Sequence, residues 1–198
     1  MKVLIAYERS GVIREAFRAL SIEAYSNDLE PTDIPSPYHL QCDARDAIAH
    51  KDHQWDLIIM HPMCTALAVS GNSTYAKGKE KHHLRLAAIK DTLEVFELAK
   101  KHCNRVAMEN PVGVLPIKPT QYIQPWQFGH PESKKTGLWL HNLPELKETD
   151  NVYALFQALP KNKQQRLHYL PPSKDRAKLR SQTFDGVAAA VALQWGIL

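Results

Sequence analysis

The sequence predicts an α/β fold, a mostly parallel sheet with helices on both faces. Three observations carry that prediction. Short unbroken apolar runs, as in Lys2–Tyr7, Leu57–Met60 and Arg105–Met108, have the length and composition of strands buried on both faces. Between them lie stretches whose apolar residues recur at helical spacing. Several strands also stop at an acidic residue or a proline, where an open α/β sheet presents its ligand-binding carboxyl edge.

A chain of 198 residues fits one domain, 1–198, and is long enough to bury a real core. Its 44% hydrophobic and 23% charged residues are ordinary for a globular protein. No run approaches the roughly 18 apolar residues of a membrane span, and the first residues enter a strand without a signal-peptide pattern. Cys42, Cys64 and Cys103 are odd in number and irregular in spacing, so a reducing cytoplasm is expected. With no CxxC pair, no metal site is expected. The net charge of +4 is unevenly placed: Lys161–Arg180 holds seven basic residues and one acid, Asp175. Such a block is either a solvated face or a phosphate-contacting surface.

Taken in order, Lys2–Tyr7 reads as the first strand and Glu8–Gly11 as a turn, with Ser10 a candidate N-cap. Val12, Ile13, Ala16, Phe17 and Leu20 then form one helical face. Strand, glycine-containing turn and helix open a Rossmann-like unit. Ala24–Asn27 is a second strand ending at Asp28, and Leu40–Asp43 a third, also ending in an acid. A carboxylate there accepts hydrogen bonds from ribose hydroxyls or an adenine amine, or simply caps the segment that follows. Pro31–Pro37 is a loop and Ala44–His50 a short helix.

Leu57–Met60 is the central strand. It ends at Pro62, which has no N–H for a ladder, and Cys64 follows on a loop rich in Ser, Gly, Asn and Thr. Cys64 is therefore either a buried structural thiol or a reactive one at the carboxyl edge. Leu84–His102 is the clearest helix, with Leu86, Ile89, Leu93 and Phe96 as its expected buried stripe. Arg105–Met108 is the next strand. It runs into Glu109-Asn110-Pro111, which brings a carboxylate to the same edge as Cys64. Val112–His130 reads as a long ordered loop, Gly137–Leu140 as a late strand, and Val152–Leu159 as a short helix. Phe184–Trp195, with Val187, Ala188, Val191, Ala192 and Trp195 on one face, closes the fold.

With these residues in place, the chain resembles small DNA cytosine-5 methyltransferases of the kind carried by phages and prophages. Pro62-Met-Cys64 resembles that family's Pro-Pro-Cys nucleophile motif, and Glu109-Asn110-Pro111 its Glu-Asn-Val motif. Lys134-Lys135 before Leu138-Trp139-Leu140 falls where the family has a Gln-x-Arg-x-Arg strand. Arg180–Trp195, with Gly186-Val187, resembles its closing motif. Gln124–His130 and Pro171-Pro172 also look like features of the small phage proteins.

The resemblance implies an S-adenosylmethionine-dependent methyltransferase fold without a full target-recognition domain. It also implies how each residue acts. The Cys64 thiolate would add to cytosine C6 and make C5 nucleophilic toward the methyl of S-adenosylmethionine; loss of the C5 proton and of cysteine would follow. Glu109 would hold cytosine N3 and the exocyclic amine, and Lys134 or Lys135 would stand for the family's arginines. Tyr7, Gly11, Asp28, Asp43 and Pro62 would line the cofactor. Lys134, Lys174, Arg176, Lys178 and Arg180 would contact DNA, whose target base must leave the stack.

The chain departs from the family in having one glycine in its first turn, Met63 for proline and Thr65 for glutamine. His141–Arg166 is also too short for a separate recognition domain. Base readout is then minimal, or a partner or homodimer completes it. Two other readings stay open: a pyrimidine-modifying enzyme acting on RNA or nucleotides, and an inactive nucleic-acid-binding protein on the same scaffold.

Overall fold

The computed structural model describes residues 1–198. In chain order the elements are β1 (Lys2–Ala6), α1 (Val12–Ala19), β2 (Glu23–Asp28), β3 (His39–Gln41), α2 (Ala44–Ile48), β4 (Leu57–Met60), α3 (Asn72–Tyr75), α4 (His82–His102), β5 (Val106–Pro111), β6 (Gln121–Ile123), β7 (Thr136–His141), α5 (Tyr153–Ala158), α6 (Lys161–Gln164), α7 (Arg176–Ser181) and α8 (Asp185–Trp195). The seven strands form one sheet in the order β3-β2-β1-β4-β5-β7-β6. All neighbours from β3 to β5 are parallel, and β7 runs antiparallel between β5 and β6. This is the Rossmann-like, doubly wound architecture that the strand–helix alternation predicts.

The period-two alternation of the strands divides the core into two layers. Val3, Ile5, Leu57, Ile59 and Ala107 face α1 and α8, where they meet Phe17, Val191 and Trp195. Leu4, Ile58, Met60, Val106 and Met108 face α2 and α4, where they meet Ile48, Val95 and Phe96. Each fully buried large side chain contributes about 1.5–3 kcal/mol over leaving it in water.

Several expectations change. The long loop at 112–130 contains β6, whose backbone pairs with β7. The basic block holds the short helices α6 and α7. β3 stops at Gln41, so Asp43 lies beyond the strand and caps α2 by accepting from Arg45 N at 2.8 Å. The N-cap residue of α1 is Gly11, not Ser10, and the carboxyl that caps the helix belongs to Glu8, which accepts from Ile13 N at 2.6 Å and Arg14 N at 3.2 Å. On α4 the buried residues are Arg85, Thr92, Val95, Phe96 and Ala99, while Leu86 is 55% exposed. The face turned inward includes a cation because that cation has work to do: Arg85 donates to Ala66 O at 2.7 Å, Asn72 Oδ1 at 2.8 Å and Ala68 O at 3.3 Å. Apolarity alone could not locate it.

Candidate functional site

β4 and β5 set the site. Their last parallel pair is Met60 with Met108, and beyond it β5 continues because β7 pairs with it as far as Pro111. Glu109 is thus still in a strand, opposite Leu138. Alternation puts Glu109 on the face of Ala107, His61 on the face of Ile59, and Thr136 on the face of Leu138. The three polar residues converge above the α1/α8 layer. His61 Nδ1 lies 2.9 Å from Glu109 Oε2, with side-chain exposures of 16% and 24%. A narrow cavity of about 40 Å³, room for a few waters, opens beside them; Lys134, Thr136, Thr183 and Phe184 also line it.

Cys64 sits at the same edge, half-buried. Its carbonyl accepts from Leu67 N at 3.0 Å and Ala68 N at 2.9 Å, making a tight turn. The loop is fastened from below by Arg85 and from the side by Val114 N to Leu67 O at 3.0 Å. Pro62 is buried, and its carbonyl accepts from Asn110 Nδ2 at 3.1 Å, tying the two motifs together. Burial raises the Cys64 thiol, and the Glu109 charge adds to this; Lys134 and Arg180 pull the other way without prevailing. Positive charge that would favour the thiolate is present, but in this conformation burial dominates.

Burial also pushes the Glu109 carboxyl up, but the His61 hydrogen bond and charge, with Lys134, outweigh it and hold Glu109 below its ordinary value. Lys134 is additionally tied to Gln182 O at 3.0 Å, so the segment after α7 lies across the site. Lys135, expected beside Glu109, is exposed, with its Nζ 4.4 Å from the Tyr122 ring centre. Both lysines precede β7; Lys134 is drawn to the cavity by its main-chain N–H on Gln124 Oε1 at 3.1 Å and its ammonium on Gln182 O, whereas Lys135 turns out over Tyr122.

The remaining predicted residues fall into two groups. Tyr7, with φ +60, leaves β1 beside Asp28, Asp43 and Asp91. Burial and then those carboxylates push its hydroxyl up to about 12, against Arg45. Asp28 accepts from Glu30 N at 3.0 Å. Gly11, at φ +74, is a position where a side chain would be strained, and a Cβ would lie 2.6 Å from Arg14 Nη2 and force that guanidinium to shift. The second group is the basic block. Lys178 pairs with Asp33 at 2.8 Å, Arg176 donates to His168 O at 3.4 Å, Lys174 is exposed, and Arg180 is exposed yet close enough to act on Cys64.

The edge around Tyr7 suits S-adenosylmethionine at its nucleoside end. Asp28 and Asp43 are acceptors for hydroxyls and an amine, the buried Asn27 Oδ1 at the end of β2 has no partner, and the acid-rich rim suits a sulfonium cation. At the first turn the chain fills its own anion site with Glu8, and Arg14 covers Gly11.

Sequence reasoning passed over Glu8, His61 and Arg14. The first two are titratable residues just beyond the ends of β1 and β4, the criterion that picked out Asp28 and Glu109. Arg14 carries no such signal. Buried completely, it holds Ser26 Oγ at 2.7 Å, Glu15 Oε1 at 2.7 Å and Ile34 O at 2.9 Å.

No protein-family model matches this chain, and no curated protein matches it. Among solved structures it is similar to a prophage-encoded E. coli protein described as a DNA modification methyltransferase. That match has 11% identity and a TM-score of 0.49, over 71% of this chain and 46% of that one. It is similar also to the S. pombe Dnmt2 methyltransferase, with 18% identity and a TM-score of 0.47 over 90% and 62% of the two chains. A third similar structure is the Entamoeba histolytica methyltransferase EhMeth, with 13% identity and a TM-score of 0.47 over 76% and 57%. The chain therefore spans between 46% and 62% of the length of these proteins.

Proposed function

We propose that this protein is an S-adenosylmethionine-dependent methyltransferase that modifies cytosine C5 in DNA through a covalent Cys64 adduct. One observation carries the reading: a thiol and a carboxylate 45 residues apart in sequence come to one sheet edge, where the Glu109 charge is felt by Cys64. Lys134 stands between them electrostatically, favouring the ionised form of each.

In this reading Cys64 loses its proton and its sulfur bonds to C6. The C5–C6 π electrons shift to C5 as Glu109 stabilises a proton at N3 and accepts from the exocyclic amine. The Lys134 ammonium faces the ring oxygen once it leaves Gln182 O. After C5 acquires its methyl group, transfer of the C5 proton to water restores the double bond and expels the Cys64 thiolate. S-adenosylmethionine supplies, when bound, an electrophilic methyl group; Tyr7, Asp28 and Asp43 would hold its nucleoside. Pro62 and the loop fastened by Arg85 keep the sulfur at the edge. Lys174, Arg176, Lys178 and Arg180 supply sequence-independent phosphate contacts.

The test is transfer of labelled methyl from S-adenosylmethionine to DNA by the pure protein. Transfer to cytosine C5 that is abolished by Cys64→Ala is expected; no transfer, or transfer indifferent to that substitution, would sink the reading. DNA affinity should fall with salt, more shallowly in a Lys174→Ser, Arg180→Ser variant. The self-filled first turn favours one other reading, a nucleic-acid-binding protein that has lost cofactor binding. Calorimetry decides between them, because a protein that binds DNA but gives no heat with S-adenosylmethionine is the binder.

A further inference from the structure

His61 stands directly after β4, and its main-chain N–H is held by Ala6 O at 3.1 Å. The ring is therefore placed by the central pair of strands, β1 and β4. Its Nδ1 meets Glu109 Oε2 at 2.9 Å, and against a carboxylate the ring nitrogen donates. Glu109 Oε2 is thereby committed to His61, and Thr136 adds a further favourable contact to the same carboxylate. The other ring nitrogen, Nε2, is closed off from solvent without a hydrogen-bond partner. Leaving a buried polar atom unpaired costs about 1–3 kcal/mol, so packing alone does not account for a histidine here.

The charged groups facing the ring come from every element packed around it. Glu109 approaches from β5 and Glu8 from the turn after β1. Lys134, before β7, acts on the first carboxyl, and Arg14 of α1 acts on the second. Burial raises Glu8 to about 7, and His61 is the strongest influence opposing that rise. The imidazole thus acts on two carboxyls, Glu109 through a hydrogen bond and Glu8 through its charge.

Resting on the methyltransferase reading, we infer that His61 is the positioning residue for Glu109, fixing the plane of its carboxylate so that Oε1 faces the pyrimidine. A free carboxylate rotates about its last bond, and a bond from a strand-anchored donor stops that rotation before substrate arrives. His61 itself touches no reacting atom.

The test uses three full-length proteins: wild type, His61→Leu and His61→Asn. Asparagine keeps a neutral N–H near the place of Nδ1, whereas leucine keeps only bulk. Carbon-13 NMR of glutamate carboxyls, in the protein without substrate, follows the titration of Glu109. His61→Leu should move that titration to a proton concentration roughly tenfold lower, since the hydrogen bond favouring the ionised carboxyl is gone, and His61→Asn should move it less. Methyl transfer should fall about 10- to 100-fold in kcat for His61→Leu, with KM for DNA little changed, and recover substantially in His61→Asn. An unmoved Glu109 titration in His61→Leu, or wild-type turnover in that variant, overturns the inference. If the titration moves but the wild-type protein transfers no methyl group, the pair is supported and the methyltransferase reading is the one that fails.

Discussion

Arg85→Met isolates what holds the Cys64 loop. Methionine keeps most of the aliphatic stem of Arg85, so packing in the α4 face changes little. What disappears is a buried guanidinium bonded to Ala66 O at 2.7 Å, Asn72 Oδ1 at 2.8 Å and Ala68 O at 3.3 Å. Hydrogen bonds to a charged group contribute about 1.5–3 kcal/mol each, and two of these three are short. Ala66 and Ala68 are 7% and 8% exposed, so their carbonyls find no ready water. If nothing relaxed, the loss would reach roughly 3–5 kcal/mol. The loop can peel away while the sheet stays folded, so most of that loss should appear as local opening. A change of about 3 kcal/mol raises the open fraction by somewhat more than 100-fold. The assay is the alkylation rate of Cys64 under native conditions, read by peptide mass spectrometry with Cys42 and Cys103 as internal references. Cys64 should react roughly 100-fold faster in Arg85→Met while the references hold steady. Equal Cys64 rates in the two proteins, with equal urea midpoints, would show that the guanidinium contacts hold nothing.

Two further outcomes follow from single groups. Glu8 is buried with its carboxyl raised from 4.5 to about 7, so between those pH values the native protein keeps a proton that the unfolded chain has released. Stability should therefore fall as pH rises through that window, by at most roughly 3 kcal/mol, and Glu8→Gln should remove this part of the slope. Urea midpoints of both proteins from pH 5 to 8 check it, and parallel curves would contradict the burial argument. Gly186→Ala would place a Cβ 1.9 Å from Phe128 O, which no rotamer choice avoids. The first turn of α8 must then back away from the Phe128–His130 turn, at a cost of about 1–3 kcal/mol or more. Gly78→Ala is the contrast: it meets nothing within 4 Å and is strained only by its φ of +85. Thermal melts should rank the two, with Gly186→Ala the less stable.

Much of the architecture is legible in the residues. Leu57–Met60 is apolar at every position, which fits only a strand covered on both faces, and it is central in the sheet. The helix faces of α1 and α8 follow directly from Val12, Ile13 and Phe17 and from Ala188, Val191 and Trp195. β6 escapes notice because Gln121-Tyr122-Ile123 has no periodicity of its own and is a strand only through its pairing with β7. The burial of Arg85 on α4 escapes notice because a buried cation is recognisable only from its acceptors, which lie 13 to 19 residues earlier in the chain.

The sequence by itself determined the alternating strands and helices, the carboxyl edge, and the residue types collected there, since local apolar patterns and chain breakers act over a few residues. The tertiary structure alone decided which of those residues meet. It put Lys134 and not Lys135 in the cavity, paired His61 with Glu109, turned Glu8 back onto α1, and buried Cys64 against its cationic neighbours. Such meetings depend on strand register and on where each segment leaves its strand. Pairing partners set both of those, and no local stretch of sequence contains them.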